Sequence, residues 1–226
     1  MNIVRKGIRE TSRQYALRMI KESIINLDLE PGRIVSESEL ASQMGLSRTP
    51  VREALMDLAK VKIVEIYPQK GSCIPLIDEK LVEESRFMRY VLECSVVEQV
   101  CKMVTEESLA ELQENLKLQK FYLEISSVEK LLELDNFFHE ILFEIAEKSL
   151  VYTMMSNLSI HFDRVRKMSM TTIKEIKIVE DHAEIVKSIE ERDPVRARAA
   201  MERHLNRYKF DPESIHEKYP NYFIKR

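Results

Sequence analysis

The chain has 226 residues, enough to bury two separate cores, and its 44% hydrophobic and 32% charged content is the balance of a soluble globular protein. No apolar run approaches the ~20 residues of a membrane span, and the N-terminus "MNIVRKGIRETSRQY" lacks the apolar stretch of a signal peptide. Three cysteines without a CxxC pair argue against a disulfide framework and point to a reducing cytoplasmic setting.

The net charge of −3 divides unevenly: residues 1–75 carry 12 Lys/Arg against 9 Asp/Glu, a surplus of 3. That has the sign of a nucleic-acid surface, although a surplus so small is commonly a solvated face. With 4 glycines, no tryptophan and many Leu, Glu, Lys, Met and Ile, the chain is expected to be mainly α.

From Gln14 to Leu27, Ala16, Leu17, Ile20, Ile24 and Leu27 recur at helical spacing, and "DLEPGR" ends that helix. Ser36 with Glu39 makes a capping-box pattern opening "SESELASQM", and Gly45 is placed to stop it. Ser47 can cap "SRTPVREALMDLAK", whose inward face is Val51, Leu55 and Leu58. Then "IVEIY" alternates apolar and polar residues, "PQKG" is a turn and "SCIP" can return as a second strand. Helix, helix, tight turn, helix and β-hairpin is the order of a winged helix-turn-helix.

Pro75 to Asp78 marks the expected boundary between a domain of residues 1–75 and an all-helical one of 76–226, with no Gly/Ser-rich linker between them. Helices are expected near 79–103, 106–124, 128–147, 150–168, 173–190 and 195–209. Ser126 with Glu129 and Thr172 with Glu175 read as capping boxes, and Asp193 with Pro194 as cap and first-turn residue of the last helix. The stretch "DPESIHEKYPNYFIKR" reads as a loosely held tail in which His216 receives no role.

Ser47, Arg48 and Thr49 fall at the N-terminal end of the second short helix, where backbone N–H groups and the helix dipole favour phosphate. Arg48 and Arg52, four apart, project from one face, and an arginine there can fork onto guanine O6 and N7 for ~1–3 kcal/mol of discrimination. The plainer reading is that Arg52 pairs with a neighbouring carboxylate and Ser47 merely caps. The ordered string "EPGRIVSESELASQMG", "LSRTPVREALMDL" and "YPQKG", within residues 14–75, closely resembles the GntR family of bacterial transcription regulators. The resemblance implies Arg48 and Arg52 as base readers, Ser47 and Thr49 as backbone anchors, Lys70 with Gly71 as a wing tip in the minor groove, and Ser38 and Glu39 near the phosphates. One departure stands out: where the family usually ends this helix with glycine, "AKVKIV" offers Lys62, which adopts a left-handed turn only at some cost.

In the rear half, "LDNFFHEI" sets Asp135 and His139 four apart on one helix, and His182 in "VEDHAEIV" and His204 in "MERHLNRY" are further candidates. If the last two helices form an antiparallel pair turning at "ERDP", both imidazoles come level. One carboxylate oxygen and three imidazole nitrogens without thiolate favour Zn, with Ni, Fe, Mn or Co also possible. The plainer reading is surface histidines and a solvated aspartate.

This half is similar to the ligand-binding domain called FCD in FadR-type GntR regulators, an antiparallel helical bundle in which DxxxH, a later His and a last His hold a metal; Asp135, His139, His182 and His204 match in order and type. "RYVLE", residues 89–93, matches the helix whose arginine receives the effector's carboxylate, which implies Arg89 as anchor; an Arg89–Glu93 helical salt bridge is the alternative. Asn157, His161, Arg164 and Arg166 lie on a helix the family uses as another cavity wall, their directions open. The methionines at 154, 155, 168 and 170 read as core filler.

The resulting expectation is a homodimeric repressor that binds double-stranded DNA at a two-fold symmetric operator, under control of a small carboxylate effector beside the metal, with no membrane partner. A variant keeps the regulator but makes the metal structural or absent and the effector an acyl thioester. A metal-dependent helical-bundle enzyme is disfavoured: no general base is evident, and the Glu and ExxH pairs of di-iron bundles are lacking.

Overall fold

The computed structural model of the chain describes residues 1–170, 176–207 and 212–224. By internal contacts it forms two compact units: Met1–Ser85 with Asn157–Met168 and Asp211–Arg226, and Arg86–Ser156 with Ser169–Phe210. No helix among the described residues is long and apolar enough to cross a membrane.

In the first unit, α1 (Ser12–Ile25) opens with a capping box two residues before the expected start: Thr11 Oγ1 accepts from Gln14 N–H and Gln14 Oε1 accepts from Thr11 N–H. Helix α2 (Glu37–Met44) has half the expected box. Ser36 accepts from Glu39 N–H, but the Glu39 carboxylate turns away to Arg33, 3.0 Å off. Gly45 ends α2 with φ 65, a left-handed position natural to glycine. Helix α3 (Arg48–Lys60) buries Val51, Ala54, Leu55 and Leu58 against Met19, Ile20 and Ile24 of α1 and Leu40 of α2.

The hairpin gains a third strand that was too short to show a period in the sequence. β1 (Ile34–Val35) and β2 (Glu65–Tyr67) flank β3 (Gly71–Cys73), all antiparallel, with Ile34 opposite Cys73 and Tyr67 opposite Gly71. Gly71 is required twice over: its φ is 112, and a Cβ there would lie 2.8 Å from the Val35 carbonyl oxygen.

The second unit contains most of α4 (Glu79–Met103) together with α5 (Glu106–Glu124), α6 (Val128–Ile145), the first turns of α7 (Ser149–Met170), α8 (Ile176–Glu190) and α9 (Pro194–Arg207). Its core includes Val97, Leu112, Phe138, Ile141, Leu142, Ile185, Ile189 and Met201. Asp193 caps α9 through Arg196 N–H, as expected. Arg192, at φ 54 in the turn before it, sends its guanidinium to the carbonyls of Cys101, Lys102 and Val104, the otherwise orphaned end of α4.

Three expectations need correction. Ser126 is no cap; it adopts φ 55 in the turn and α6 begins two residues later, after Ser127, which makes no side-chain capping bond. Of the methionines, Met155 and Met168 are buried but Met154 faces solvent. The tail is held: α10 (Pro212–Lys218) is followed by a parallel bridge in which Ile77 N–H donates to the Tyr222 carbonyl and Ile224 N–H to the Ile77 carbonyl, with Ile215 and Phe223 buried. Main-chain pairing to a distant strand-like residue leaves no local period, so the sequence conceals it. The expected box of Thr172 with Glu175 lies outside the described residues.

Phe223→Ala, which removes a buried ring from this anchor, is expected to destabilise the first unit by ~3 kcal/mol, read as a lowered midpoint in chemical denaturation of the full chain.

Candidate functional site

Asp135 and His139 lie one turn apart on α6, and the α8–α9 pair brings His182 and His204 level with them. One ligand atom from each of the four lies within 4.8 Å of the others, and all four side chains are buried. The plainer sequence reading, solvated and scattered groups, is excluded. The Nε2 atoms of His139 and His182 stand 3.1 and 3.4 Å from that of His204, and Asp135 Oδ1 is 3.6 Å from His182 Nε2. The Phe138 ring stacks on His182 with centroids 4.1 Å apart and closes that side with apolar surface.

Two chains of polar contacts, absent from the sequence reading, fix which imidazole nitrogens face inward. Leu134's carbonyl accepts from Asn115 Nδ2, Asn115 Oδ1 accepts from Gln119 Nε2, and Gln119 Oε1 lies 2.7 Å from His182 Nδ1. Because that amide oxygen only accepts, His182 carries its proton on Nδ1 and turns an Nε2 lone pair inward. The second chain runs from Arg89 Nε to Glu93 Oε1, 2.6 Å, and from Glu93 Oε2 to His139 Nδ1, also 2.6 Å. A carboxylate likewise only accepts, so His139 is fixed in the same sense.

Two inward lone pairs thus approach one His204 nitrogen, whose single possible proton can satisfy only one of them, and a carboxylate faces the same point. A proton is a poor solution: burial foremost, then His204, pushes the His182 pKa well below 6.5, and burial with His139 brings His204 to about 3. The donor set therefore fits a divalent cation. Burial alone would raise the Glu93 carboxyl, but Arg89 and His139 outweigh it and hold it at about 2. Cys94 and Cys101 are no part of this set; burial pushes their thiols up to about 12 and about 11.

Behind the shelf, buried Asp181 of α8 receives Arg203 and Arg207 of α9. Asp181 and Arg203 each directly precede a cluster histidine, so the pair fixes the register of α8 against α9.

Of these supporting residues, Glu93 alone had a sequence signal, its i+4 spacing from Arg89. Asn115 and Gln119 share that spacing on α5, yet nothing in a polar helix reveals which polar pair is buried. Arg89 is itself buried in the salt bridge weighed as the alternative to a ligand anchor.

At the opposite pole of the chemistry, Ser47, Arg48, Thr49 and Arg52 are exposed at the start of α3. The Arg48 and Arg52 side chains are each 70% accessible and share Glu37 of α2, at 3.3 and 3.8 Å. Contacts that long and exposed are weak, ~0–1 kcal/mol, and leave both guanidinium groups available. Ser47 makes no side-chain capping bond. Lys70 projects at the β2–β3 turn beside Gly71; Ser38 is exposed and Glu39 is bound to Arg33. His161 and Arg164 take no place in the four-residue cluster; they donate to main-chain carbonyls of the first unit, those of Val61 and Pro75.

Residues 13–74 match the family described as bacterial regulatory proteins, gntR family, and residues 84–207 match the FCD domain. The chain is 30% identical over 211 residues to the HTH-type transcriptional repressor RspR of Escherichia coli strain K12, covering 93% of this chain and 92% of that one. It is 28% identical over 185 residues to the gluconate operon transcriptional repressor of Bacillus subtilis strain 168, covering 79% and 74%. Among solved structures, E. coli McbR/YncC shares the fold with a TM-score of 0.80 at 21% identity, over 92% of this chain and 99% of that one.

Two measurements probe the cluster. Gln119→Leu, which frees the His182 ring, is expected to lower divalent-metal affinity ~10–100-fold in competition with a chelator. In the unfolded chain an imidazole takes up its proton near pH ~6.5, whereas folded His204 does so only at about 3. The contribution of the neutral buried ring is therefore complete above that unfolded value and is lost as pH falls toward the folded one. Metal-stripped protein should unfold at progressively lower temperature across this acid window, and His204→Leu should flatten the dependence.

Proposed function

The chain belongs to the gntR family of bacterial regulatory proteins and carries an FCD domain, and from that membership we propose that it is a homodimeric, metal-holding repressor whose operator affinity is set by a small carboxylate. Regulators of this family bind DNA, and the chain is a transcription regulator rather than an enzyme. Residues 1–75 act as the DNA-binding domain and 76–226 as the effector domain.

The convergence of three imidazole Nε2 atoms and a carboxylate is the observation that carries the sensor half of this reading. Asp135, His139, His182 and His204 would hold the ion, with Zn favoured by nitrogen-rich ligation without thiolate and Ni, Fe, Mn or Co as other candidates. Bound there, a divalent ion supplies positive charge to which effector carboxylate oxygens bind. Glu93 and Gln119 orient the rings, Phe138 excludes water from one side, and Arg89 contributes positive charge through the Glu93 carboxylate.

In the first unit, the open N-terminal turn of α3 suits phosphate, with Ser47 and Thr49 as anchors, Arg48 and Arg52 as base readers, and Lys70 and Gly71 in the minor groove. Ser38 and Glu39 lie at the start of α2, near the backbone. A two-fold dimer would place two such helices on half-sites ~34–36 Å apart. Names of two relatives as repressors support that direction of control.

A second reading makes the metal purely structural and the effector of another class, such as an acyl thioester. The tight Arg89–Glu93 contact favours it, because a guanidinium already serving Glu93 has less to offer a carboxylate ligand.

Arg48→Ala is expected to abolish binding to the duplex that wild-type protein selects from a randomised pool, while elemental analysis still finds one metal per chain. His182→Ala should do the reverse, losing metal and with it the response to carboxylates, which a coupling of ~1–3 kcal/mol makes ~5–150-fold in the wild type. If that variant loses metal yet responds undiminished, the ion is structural and the second reading holds.

A further inference from the structure

The end of α3 is a Schellman motif carried out with the wrong residue. Ile63 N–H donates to the Leu58 carbonyl and Lys62 N–H to the Ala59 carbonyl, both at 3.1 Å, and Lys62 takes the left-handed position with φ 58. Glycine is natural there; a lysine bears a steric cost of ~1 kcal/mol. The motif also leaves the Val61 carbonyl, at the helix C-cap, without a donor of its own.

That donor comes from α7, a hundred residues along the chain and inside the same compact unit. His161 Nε2 lies 2.7 Å from the Val61 carbonyl oxygen, and Ile160 beside it is fully buried in the core of this unit. A carbonyl only accepts, so His161 holds its proton on Nε2. Burial, the main influence, pulls the ring's pKa down to about 4, so the ring is neutral near pH ~7. Arg164, three residues on, donates from Nη1 to the Pro75 carbonyl at 3.2 Å and is fully buried. Val61 is where the chain leaves α3 for the wing, and Pro75 is where it leaves the wing. One turn of α7 therefore grips the hairpin at both its ends.

We propose that His161 is an external C-cap of α3 which supplies the donor missing at the Val61 carbonyl and, with Arg164, sets the geometry between the DNA-reading helix and the wing. His161 is a positioning residue: it touches no DNA and acts through the Val61 carbonyl. The proposal rests on the DNA-binding reading above and adds an affinity determinant on a helix outside residues 1–75. It also explains the tolerance for Lys62, since the strained turn is held from outside rather than by its own backbone freedom.

The test measures binding, by fluorescence anisotropy, to the duplex that the wild-type full-length protein selects from a randomised pool. His161→Ala is expected to weaken binding ~10-fold, the equivalent of one buried carbonyl left unsatisfied, with metal content unchanged. His161→Gln, which keeps a donor of similar reach, should stay within ~3-fold of wild type. Lys62→Gly added to His161→Ala should not recover the loss, because glycine relieves the left-handed strain but brings no donor to the Val61 carbonyl, its own N–H already bonding Ala59. Recovery of binding by Lys62→Gly would show that His161 merely adds stability to the turn, and would overturn its role through the Val61 carbonyl.

Wild-type affinity in His161→Ala, with Arg48→Ala inactive in the same assay, overturns the proposal and leaves the DNA-binding reading intact. If the wild-type protein selects no duplex, the DNA-binding reading fails instead; amide exchange at Lys62 and Ile63 then decides the cap. Faster exchange there in His161→Ala than in His161→Gln supports it, and equal protection overturns it.

Discussion

Two imidazole lone pairs are driven toward the same point because each ring's other nitrogen is committed to an obligate acceptor, the Gln119 amide oxygen behind His182 and the Glu93 carboxylate behind His139. A buried amide or carboxylate left without its donor costs more than most single contacts contribute, so these outer partners constrain the rings strongly. The Gln119 chain is grounded on a backbone carbonyl, that of Leu134, which cannot rotate away without unwinding α6. The opposition of lone pairs is thus built into the bundle, a donor set that fits a divalent cation.

The first unit solves a different problem, exposing cations while keeping the backbone that carries them rigid. Arg48 and Arg52 stay accessible because Glu37 holds them only at long range. Rigidity comes from below, where Val51, Leu55 and Leu58 seat α3 in the core. It comes also from α7, whose His161 and Arg164 saturate carbonyls at the two ends of the wing. The tail adds main-chain bonds to Ile77, two residues before α4 begins at Glu79. Segments distant in sequence therefore complete this unit, which residues 1–75 alone do not contain.

Much of this was legible in the chain. Helical period located α4 and α5 at their observed bounds, Gly45 and Asp193 marked real helix ends, and Lys62 was marked as a residue in a conformation suited to glycine. Asp135, His139, His182 and His204 were singled out by helical spacing together with the resemblance to the FCD pattern, and the fold brings them together. The failures share a cause. Ser126 looked like a cap because the box pattern is local, yet the turn needed a left-handed residue there; β1 and the bridge at Ile77 are pairings between remote segments with no repeating pattern.

By itself the sequence determined the order and kind of the elements other than β1 and α10, the apolar faces and the residue types able to read DNA or hold a cation, because all of these depend on neighbours within a turn or two. Only the tertiary structure decided that Gln119 and Glu93 set the imidazole tautomers, that Arg89 is engaged by Glu93, and that His161 serves the end of α3. Each of those is a polar contact made away from solvent, and for Gln119, for the Glu93–His139 contact and for His161 the partner depends on which helices pack together, which no spacing along a chain encodes.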